Sequence, residues 1–188
     1  MIAPAVAGTI TFDDVTNTGH AVLNGYGGFN WNNFLTLDTT TAYTTDGYGH
    51  GTVSLNNVAF NGFASAATIS SATPFRLTGG YLTGAWNDGL KVKLVATRAG
   101  HAVYTQTFVV NTVSPTLETF NRSIVDKVVF TSGGGTTHPG PSSGSQFALD
   151  NLSFSRVVPE PSVWAMMIGG FGLVGGSMRR RGVRIGVA

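Results

Sequence analysis

Apolar and polar residues alternate over much of the first 157 positions, and this pattern predicts short strands. The segment Leu90–Ala96 places Leu90, Val92 and Leu94 on one side and two lysines on the other. Comparable runs predict nine strands: Thr9–Phe12, Gly51–Leu55, Ala67–Ser71, Phe75–Ala85, Leu90–Ala96, His101–Val110, Leu117–Phe120, Val125–Thr131 and Gln146–Phe154. Many short strands with no long helical period before Val163 are typical of an all-β jelly roll or β-sandwich.

Glycine-containing turns separate the predicted strands. Asn87-Asp88-Gly89 is one such turn, and Arg98-Ala99-Gly100 joins two long strands as a predicted β-hairpin. The segment Ser132–Ser145 is rich in Gly, Ser and Pro, but another strand follows it. We therefore interpret this segment as a flexible loop within one domain.

The pattern changes near the carboxyl end. Val163–Met178 contains no charged residue, and at about 1.5 Å per residue a helix of this length would extend roughly 24 Å. Trp164 stands where an interfacial aromatic belongs, and a basic stop of Arg179, Arg180 and Arg181 follows. This arrangement predicts one short transmembrane helix, with the body outside the inner membrane and the arginines inside.

A buried core helix is the alternative for the same segment. Such a helix would contain five glycines, each of which costs up to about 1 kcal/mol in water. In lipid, small residues spaced like Gly172 and Gly176 allow close helix contacts. The glycine content therefore favours the membrane interpretation.

The sequence Pro159-Glu160-Pro161 precedes Trp164-Ala165, a hydrophobic helix and a cluster of arginines. This order resembles the PEP-CTERM sorting signal of Gram-negative bacteria, in its PEPxxWA form. The resemblance covers about a sixth of the chain. It implies recognition by an exosortase in the inner membrane, cleavage at or near the motif, and delivery to the cell surface or the extracellular space.

These segments predict four parts of the chain. Residues 1–8 end in Ala5-Val6-Ala7, which is interpreted as the remainder of a secretory signal or as a flexible N-terminus. Residues 9–157 form the β-sandwich ectodomain. Residues 158–183 form the sorting signal, and residues 184–188 form a short tail.

Composition narrows the possible partners. Residues 1–157 contain seven Lys or Arg and eight Asp or Glu, so the body has a net charge of −1, whereas four arginines make the remainder basic. A body with so little positive charge is not expected to bind nucleic acid. The chain has no cysteine, which excludes disulfides and thiolate chemistry.

The last predicted strand, with the sequence Phe147-Ala148-Leu149-Asp150-Asn151-Leu152-Ser153-Phe154, resembles the closing strand of carbohydrate-binding-module jelly rolls. This resemblance implies a sandwich fold and a possible affinity for extracellular polysaccharide. Tyr26, Trp31 and Trp86 are the candidate carbohydrate contacts, because flat rings stack on sugar faces. Packing into the core or anchoring of a loop is the alternative for the same rings.

Asp13, Asp14 and Asp150 form a candidate calcium site. Asp13 and Asp14 follow the first predicted strand and Asp150 lies in the last, so these carboxylates meet if the two strands are neighbours. Carboxylate oxygens suit Ca²⁺, and modules of the resembled type often carry a structural calcium there. In the alternative, Asp13 and Asp14 cap turns and Asp150 accepts backbone hydrogen bonds.

Catalytic motifs are weak in this sequence. The four histidines lack metal-binding spacing, and no spacing singles out a carboxylate pair among Asp88, Glu118 and Asp126. We therefore expect no enzyme and no catalytic residues. The sequence predicts an exported cell-surface or matrix protein; a secreted carbohydrate-binding module is the alternative, and a glycoside hydrolase-like enzyme is a distant one.

Overall fold

The computed structural model describes residues 6–15, 18–140, 142–156 and 161–179, with side chains of the last range described for 166–176. Within these ranges the chain forms twelve strands and two α-helices. The strands are β1 Val6–Ile10, β2 Asn30–Asn32, β3 Phe34–Asp38, β4 Asn57–Asn61, β5 Ala67–Gly84, β6 Asn87–Asp88, β7 Leu90–Arg98, β8 His101–Val110, β9 Thr116–Thr119, β10 Val125–Gly133, β11 Thr136–Thr137 and β12 Phe147–Arg156. The helices are α1 Gly47–His50 and α2 Pro161–Arg179.

Antiparallel pairing arranges the long strands in two layers that share β5. The second half of β5 pairs with β12 and β9, and β12 continues the first layer to β1, β4 and β3. The first half of β5 pairs with β2 and β10, and β10 continues the second layer to β7 and β8. The fold is therefore an all-β sandwich, as the sequence predicts.

One large hydrophobic core lies between the layers. Leu90, Val92 and Leu94 are fully buried, as the alternation in β7 predicts. Most of the remaining volume is filled by phenylalanines from both layers, including Phe34, Phe75, Phe120, Phe130 and Phe147. Ring contacts such as Phe34–Phe130, with centroids 5.9 Å apart and planes near perpendicular, join the two layers.

Some strand boundaries differ from the predicted ones. Ala67–Ser71 and Phe75–Ala85 belong to a single bent strand of 18 residues, β5. The predicted strand Gly51–Leu55 is wrong, because this segment is a loop whose Val53 and Ser54 amides donate to the Asp150 carboxylate. The strands β2, β3 and β4 are not among the predicted ones.

The predicted hairpin is confirmed. Arg98 pairs with His101, and the positive φ angles of Ala99 and Gly100 (49° and 80°) suit a two-residue turn. The first and last strands are also neighbours, since β1 pairs with β12 from Val6↔Arg156 to Ile10↔Leu152. The chain therefore leaves the sandwich beside the start of its first strand.

Candidate functional site

The sorting segment lies at the C-terminal end of the described chain. Pro161 is the first residue of α2, a position where its missing N–H costs nothing, and Val163, Trp164, Ala165 and Met178 lie within the helix. Arg179 is its last residue. The other predicted motif and stop residues, Pro159, Glu160, Arg180 and Arg181, lie outside the described residues.

The described side chains of α2 are exposed. Every residue from 166 to 176 is exposed, including Met166, Ile168 and Phe171. A Cβ built on Gly172 or Gly176 would meet no atom within 4 Å. The alternative of a helix buried against the body is therefore not what the structure shows for these residues.

In the part of the chain that the structure describes, no helix combines enough length with enough apolar character to cross a membrane. The span expected at Val163–Met178 remains a prediction.

A second hydrophobic cluster covers the outer face of β3, β4 and β12. It consists of Leu37, Tyr48, Val58, Ala85, Trp86 and Ala148, with Phe60 packed against it. An aromatic depression of about 270 Å³ opens beside this cluster and is lined by Leu35, Leu37, Tyr43, Tyr48, Phe60, Gly62, Phe63, Trp86 and Gln146. Five of these nine residues are aromatic, so the lining is unusually rich in flat rings.

The rings of this aromatic depression hold one another in place. The Tyr48 ring lies 5.2 Å from that of Phe60 and 5.4 Å from that of Trp86, both in edge-to-face contact. Tyr43 completes the group, with its ring 5.6 Å from Tyr48 and 5.7 Å from Trp86. Tyr48 and Trp86 are buried, whereas Tyr43 is 48% exposed, so an ordered base supports an accessible ring.

The short helix α1 positions Tyr48. Asp46 caps it, with its carboxylate accepting a hydrogen bond from the Tyr48 amide at 2.9 Å. Gly47 lies so close to the chain that a Cβ there would be 1.7 Å from the Gly84 carbonyl oxygen. Only glycine therefore allows α1 to press against β5, and this approach brings Tyr48 over the sheet.

Phe63 forms the opposite rim of the depression and is 88% exposed. Phe63 and Ala64 follow each other with φ angles of 55° and 54°, in the left-handed region that disfavours residues with a Cβ. A large apolar ring thus faces solvent on a strained turn. Strain of this kind is frequent at ligand-binding sites.

A polar depression of about 160 Å³ lies on the other side of Trp86. Thr45, Asp46, Ala85, Trp86, Thr112, His138, Pro139, Gly140 and Ser142 line it. Two of these lining residues, Thr112 and His138, contact Asp88. The Asp88 carboxylate accepts hydrogen bonds from Thr112 N and Oγ1 at 2.8 Å and lies 2.6 Å from His138 Nδ1. These bonds, led by that from the Thr112 amide, lower the pKa of Asp88 to about 2.

The structure separates the three predicted carbohydrate contacts. Trp86 lies between the two depressions. The prediction that Trp31 contacts carbohydrate is corrected, because Trp31 is 5% exposed and its ring packs in the core against Phe12 and Phe34. Tyr26 is half-buried and anchors a loop by donating its hydroxyl hydrogen to Asp14 at 2.5 Å.

Tyr43, Tyr48, Phe60 and Phe63 are absent from the sequence-based candidates. In sequence they are scattered among glycine-rich turns and strand ends, and pairing of β3 with β4 brings them together. The segment Gly47-Tyr48-Gly49-His50-Gly51 is a usable signal, since a tyrosine between glycines can approach a sheet closely.

The predicted calcium ligands are brought to one region by the β1–β12 pairing. The Asp150 carboxylate is fully buried and accepts from the Val53 and Ser54 amides at 2.7 and 2.9 Å. Asp13 accepts from the Asn56 and Asn57 amides in the same loop. Burial raises the pKa of Asp150, and the charge of Asp13 adds to the effect.

Asp14 bonds to Tyr26 instead. Among the described residues, no three His, Asp or Glu side chains are grouped as metal ligands. The backbone hydrogen bonds to Asp13 and Asp150 match the alternative interpretation, and the structural calcium remains a prediction.

Two of the carboxylates considered for hydrolysis, Asp88 and Asp126, are far apart. Asp88 lies just before β7, whereas Asp126 accepts from the Ala99 amide beyond the other end of β7. Nine residues at about 3.3 Å each separate these ends by roughly 30 Å, against the 5–10 Å that glycosidases require. These two residues therefore do not form a hydrolytic pair.

Comparison with known protein families finds a match at the C-terminal end of the chain. Residues 157–181 match the sequence model of the PEP-CTERM protein-sorting motif. No curated protein matches the chain.

Two solved structures are similar to the body. One is a family 61 carbohydrate-binding module in complex with β-1,4-galactotriose, with a TM-score of 0.42, 9% identity, and coverage of 73% of this chain and 99% of that one. The other is a mutant of a family 29 carbohydrate-binding module, with a TM-score of 0.37, 16% identity, and coverage of 81% and 93%.

The motif establishes the transport of this protein. It carries a PEP-CTERM sorting signal and is therefore an exported protein, processed by an exosortase and sorted to the cell surface. The activity of its body has to be inferred from the body's own side chains.

Proposed function

We propose that the body is a non-catalytic glycan-binding domain, which holds a neutral polysaccharide at the cell surface through the aromatic depression. The observation that carries this proposal is that two exposed rings, those of Phe63 and Tyr43, line the same depression. Sugar rings have an apolar face that stacks on aromatic side chains, and their hydroxyls hydrogen-bond to neighbouring amides and tyrosines.

Exposure and strain together favour a ligand over a packing role for Phe63. A ring that is 88% exposed adds little to the core, and its left-handed backbone costs about 1–2 kcal/mol. Glycine would remove that cost. A phenylalanine at this position is explained if the ring is covered by a ligand.

Transport supplies the setting for this function. In our proposal, α2 enters the inner membrane for a short time with the arginines on the cytoplasmic side, and the sandwich lies on the opposite side of this membrane. The exposed side chains of Met166, Ile168 and Phe171 support this stage, because they leave apolar surface available to lipid. Cleavage near Pro159–Pro161 then frees the body for the polysaccharide layer.

A binding screen tests the proposed function. The full chain in mild detergent is titrated with oligomers of glucan, galactan and mannan, and heat is recorded by calorimetry. We expect saturable binding to at least one neutral oligomer. Absence of heat with all three would contradict the proposal, provided that unfolding of the same sample remains cooperative.

Intact mass and cell fractionation test the transport half. In cells with the exosortase, we expect a product that lacks the tail, at the surface or in the medium. Without the enzyme, we expect the uncut protein in the membrane fraction. Uncut protein in the cytoplasm of both strains would contradict the proposed route.

A further inference from the structure

The polar depression is adjacent to the aromatic one, because Trp86 lines both. The aromatic depression alone, at about 270 Å³, is smaller than the roughly 300–1,000 Å³ of ordinary ligand sites, whereas the two together fall within that range. A chain of several sugars therefore has room for one unit on each side of Trp86.

The two walls of the polar depression are fixed. The Gly47 amide donates to the Ala85 carbonyl at 3.1 Å, which ties α1 to the residue before Trp86. The His138 amide donates to the Trp86 carbonyl at 2.8 Å and holds the opposite wall. A preformed site of this kind loses little entropy when a ligand binds.

Asp46 has the one carboxylate among the described residues that line the polar depression, and these residues include neither Lys nor Arg. Asp88, behind the wall, is already engaged, since one of its oxygens accepts from Thr112 and the other contacts His138. The Asp46 carboxylate, which lines the depression itself, accepts from the Tyr48 amide at 2.9 Å and also interacts with the Gly49 amide and His50. Asp46 is therefore the acidic group that a bound sugar would meet.

We infer that the polar depression is a second sugar subsite, in which Asp46 accepts hydrogen bonds from hydroxyl groups and excludes acidic sugars. The inference rests on the proposed glycan binding and gives its ligand class: chains of uncharged hexoses, with uronic acids rejected. Two carboxylates about 4 Å apart repel each other by about 1 kcal/mol in water and more near a protein surface, so at least a fivefold to tenfold preference is expected.

The test compares each neutral oligomer of glucan, galactan and mannan with its derivative oxidised to the uronate at C6. The full-length wild type and the variant Asp46→Asn are titrated with both members of each pair. Asparagine is as good a helix cap as aspartate, so the variant retains α1 and removes only the charge. Asp126→Asn is the matched control, since Asp126 also accepts a backbone amide but lies at the hairpin turn.

We expect the wild type and Asp126→Asn to prefer the neutral oligomer by at least about fivefold to tenfold. Asp46→Asn should reduce this preference to about threefold or less, mainly by raising the affinity for the uronate. The wild-type preference should also weaken with added salt, because salt screens charges.

Four results would overturn the inference. The wild type binding both members of a pair equally would do so, and so would Asp46→Asn weakening both equally, which indicates a disturbed loop. An unchanged preference in Asp46→Asn, with neutral binding that still depends on Phe63, would overturn the subsite alone. Absence of all neutral binding would remove the proposed function as well.

Discussion

Replacement of Phe63 by glycine separates binding from folding. The ring is about one-eighth buried, and a phenylalanine that buries roughly 150–250 Å² when covered would here lose about 20–30 Å², or about 0.6 kcal/mol. Glycine relieves about 1–2 kcal/mol of left-handed strain but adds about 0.4–1 kcal/mol of freedom to the unfolded chain. The free energy of unfolding should therefore change by less than about 1 kcal/mol.

Binding should change far more. A sugar stacked on one face of the ring would cover about 75 Å², worth about 2 kcal/mol, so Phe63→Gly should lower the affinity about 10–30-fold. Calorimetric titration with the best neutral oligomer measures the affinity, and urea unfolding measures the stability.

Leu55→Gly is the matched control. Leu55 is also apolar, 82% exposed and at positive φ (35°), but it lies outside both depressions. Its replacement should leave the affinity unchanged. An unaltered affinity in folded Phe63→Gly would refute the proposed role of the ring, and an equal fall in Leu55→Gly would show that the loss is not local.

Further variants probe the core, the calcium prediction and the base of the site. Trp31→Ala should lower the free energy of unfolding, measured in urea, by about 3–5 kcal/mol, because it leaves a cavity in the core. A smaller loss of stability together with a loss of sugar affinity would indicate that Trp31 contacts the ligand. Burial raises the pKa of the Asp150 carboxyl group in the folded protein above the value of about 3.9 in the unfolded chain. The stability that the protonated carboxyl group contributes is therefore complete below pH about 3.9 and is lost as the pH rises through the raised pKa. The free energy of unfolding of the wild type relative to Asp150→Asn should fall over that interval, and a constant difference would contradict this. Calcium added to a chelated sample should raise the melting temperature if Asp13, Asp14 and Asp150 bind it, and an unchanged temperature would count against the ion. Gly47→Ala should displace α1, reduce the affinity for the sugar and lower the melting temperature, because its Cβ would overlap the Gly84 carbonyl oxygen. An unchanged affinity and melting temperature would contradict the assigned packing.

Strands of the sandwich could be predicted from the sequence where one face of the strand is buried and the other is exposed to solvent. In β7, Leu90, Val92 and Leu94 alternate with lysines, so period two is visible in the sequence. In β4, Asn57, Val58, Ala59 and Asn61 are all buried, because loops and α1 cover the outer face. Burial on both faces removes the alternation of apolar and polar residues, so this alternation could not predict β4.

The sorting signal was predictable because its residues are consecutive, and the match at residues 157–181 confirms it. The aromatic depression was not, since it depends on pairing between distant segments. Phe60 and Phe63 come from one hairpin region, whereas Trp86 comes from the chain after β5. Only Trp86 was identified from sequence, on ring type alone.

The direction of β12 decides how the two ends of this protein are used. The strand begins next to Gln146, on the rim of the aromatic depression, and ends at Arg156, where the sorting segment departs. Ten residues at about 3.3 Å each make β12 a spacer of roughly 30 Å between them. If the tail enters the membrane as we propose, the aromatic depression lies at the end of β12 that is remote from this tail.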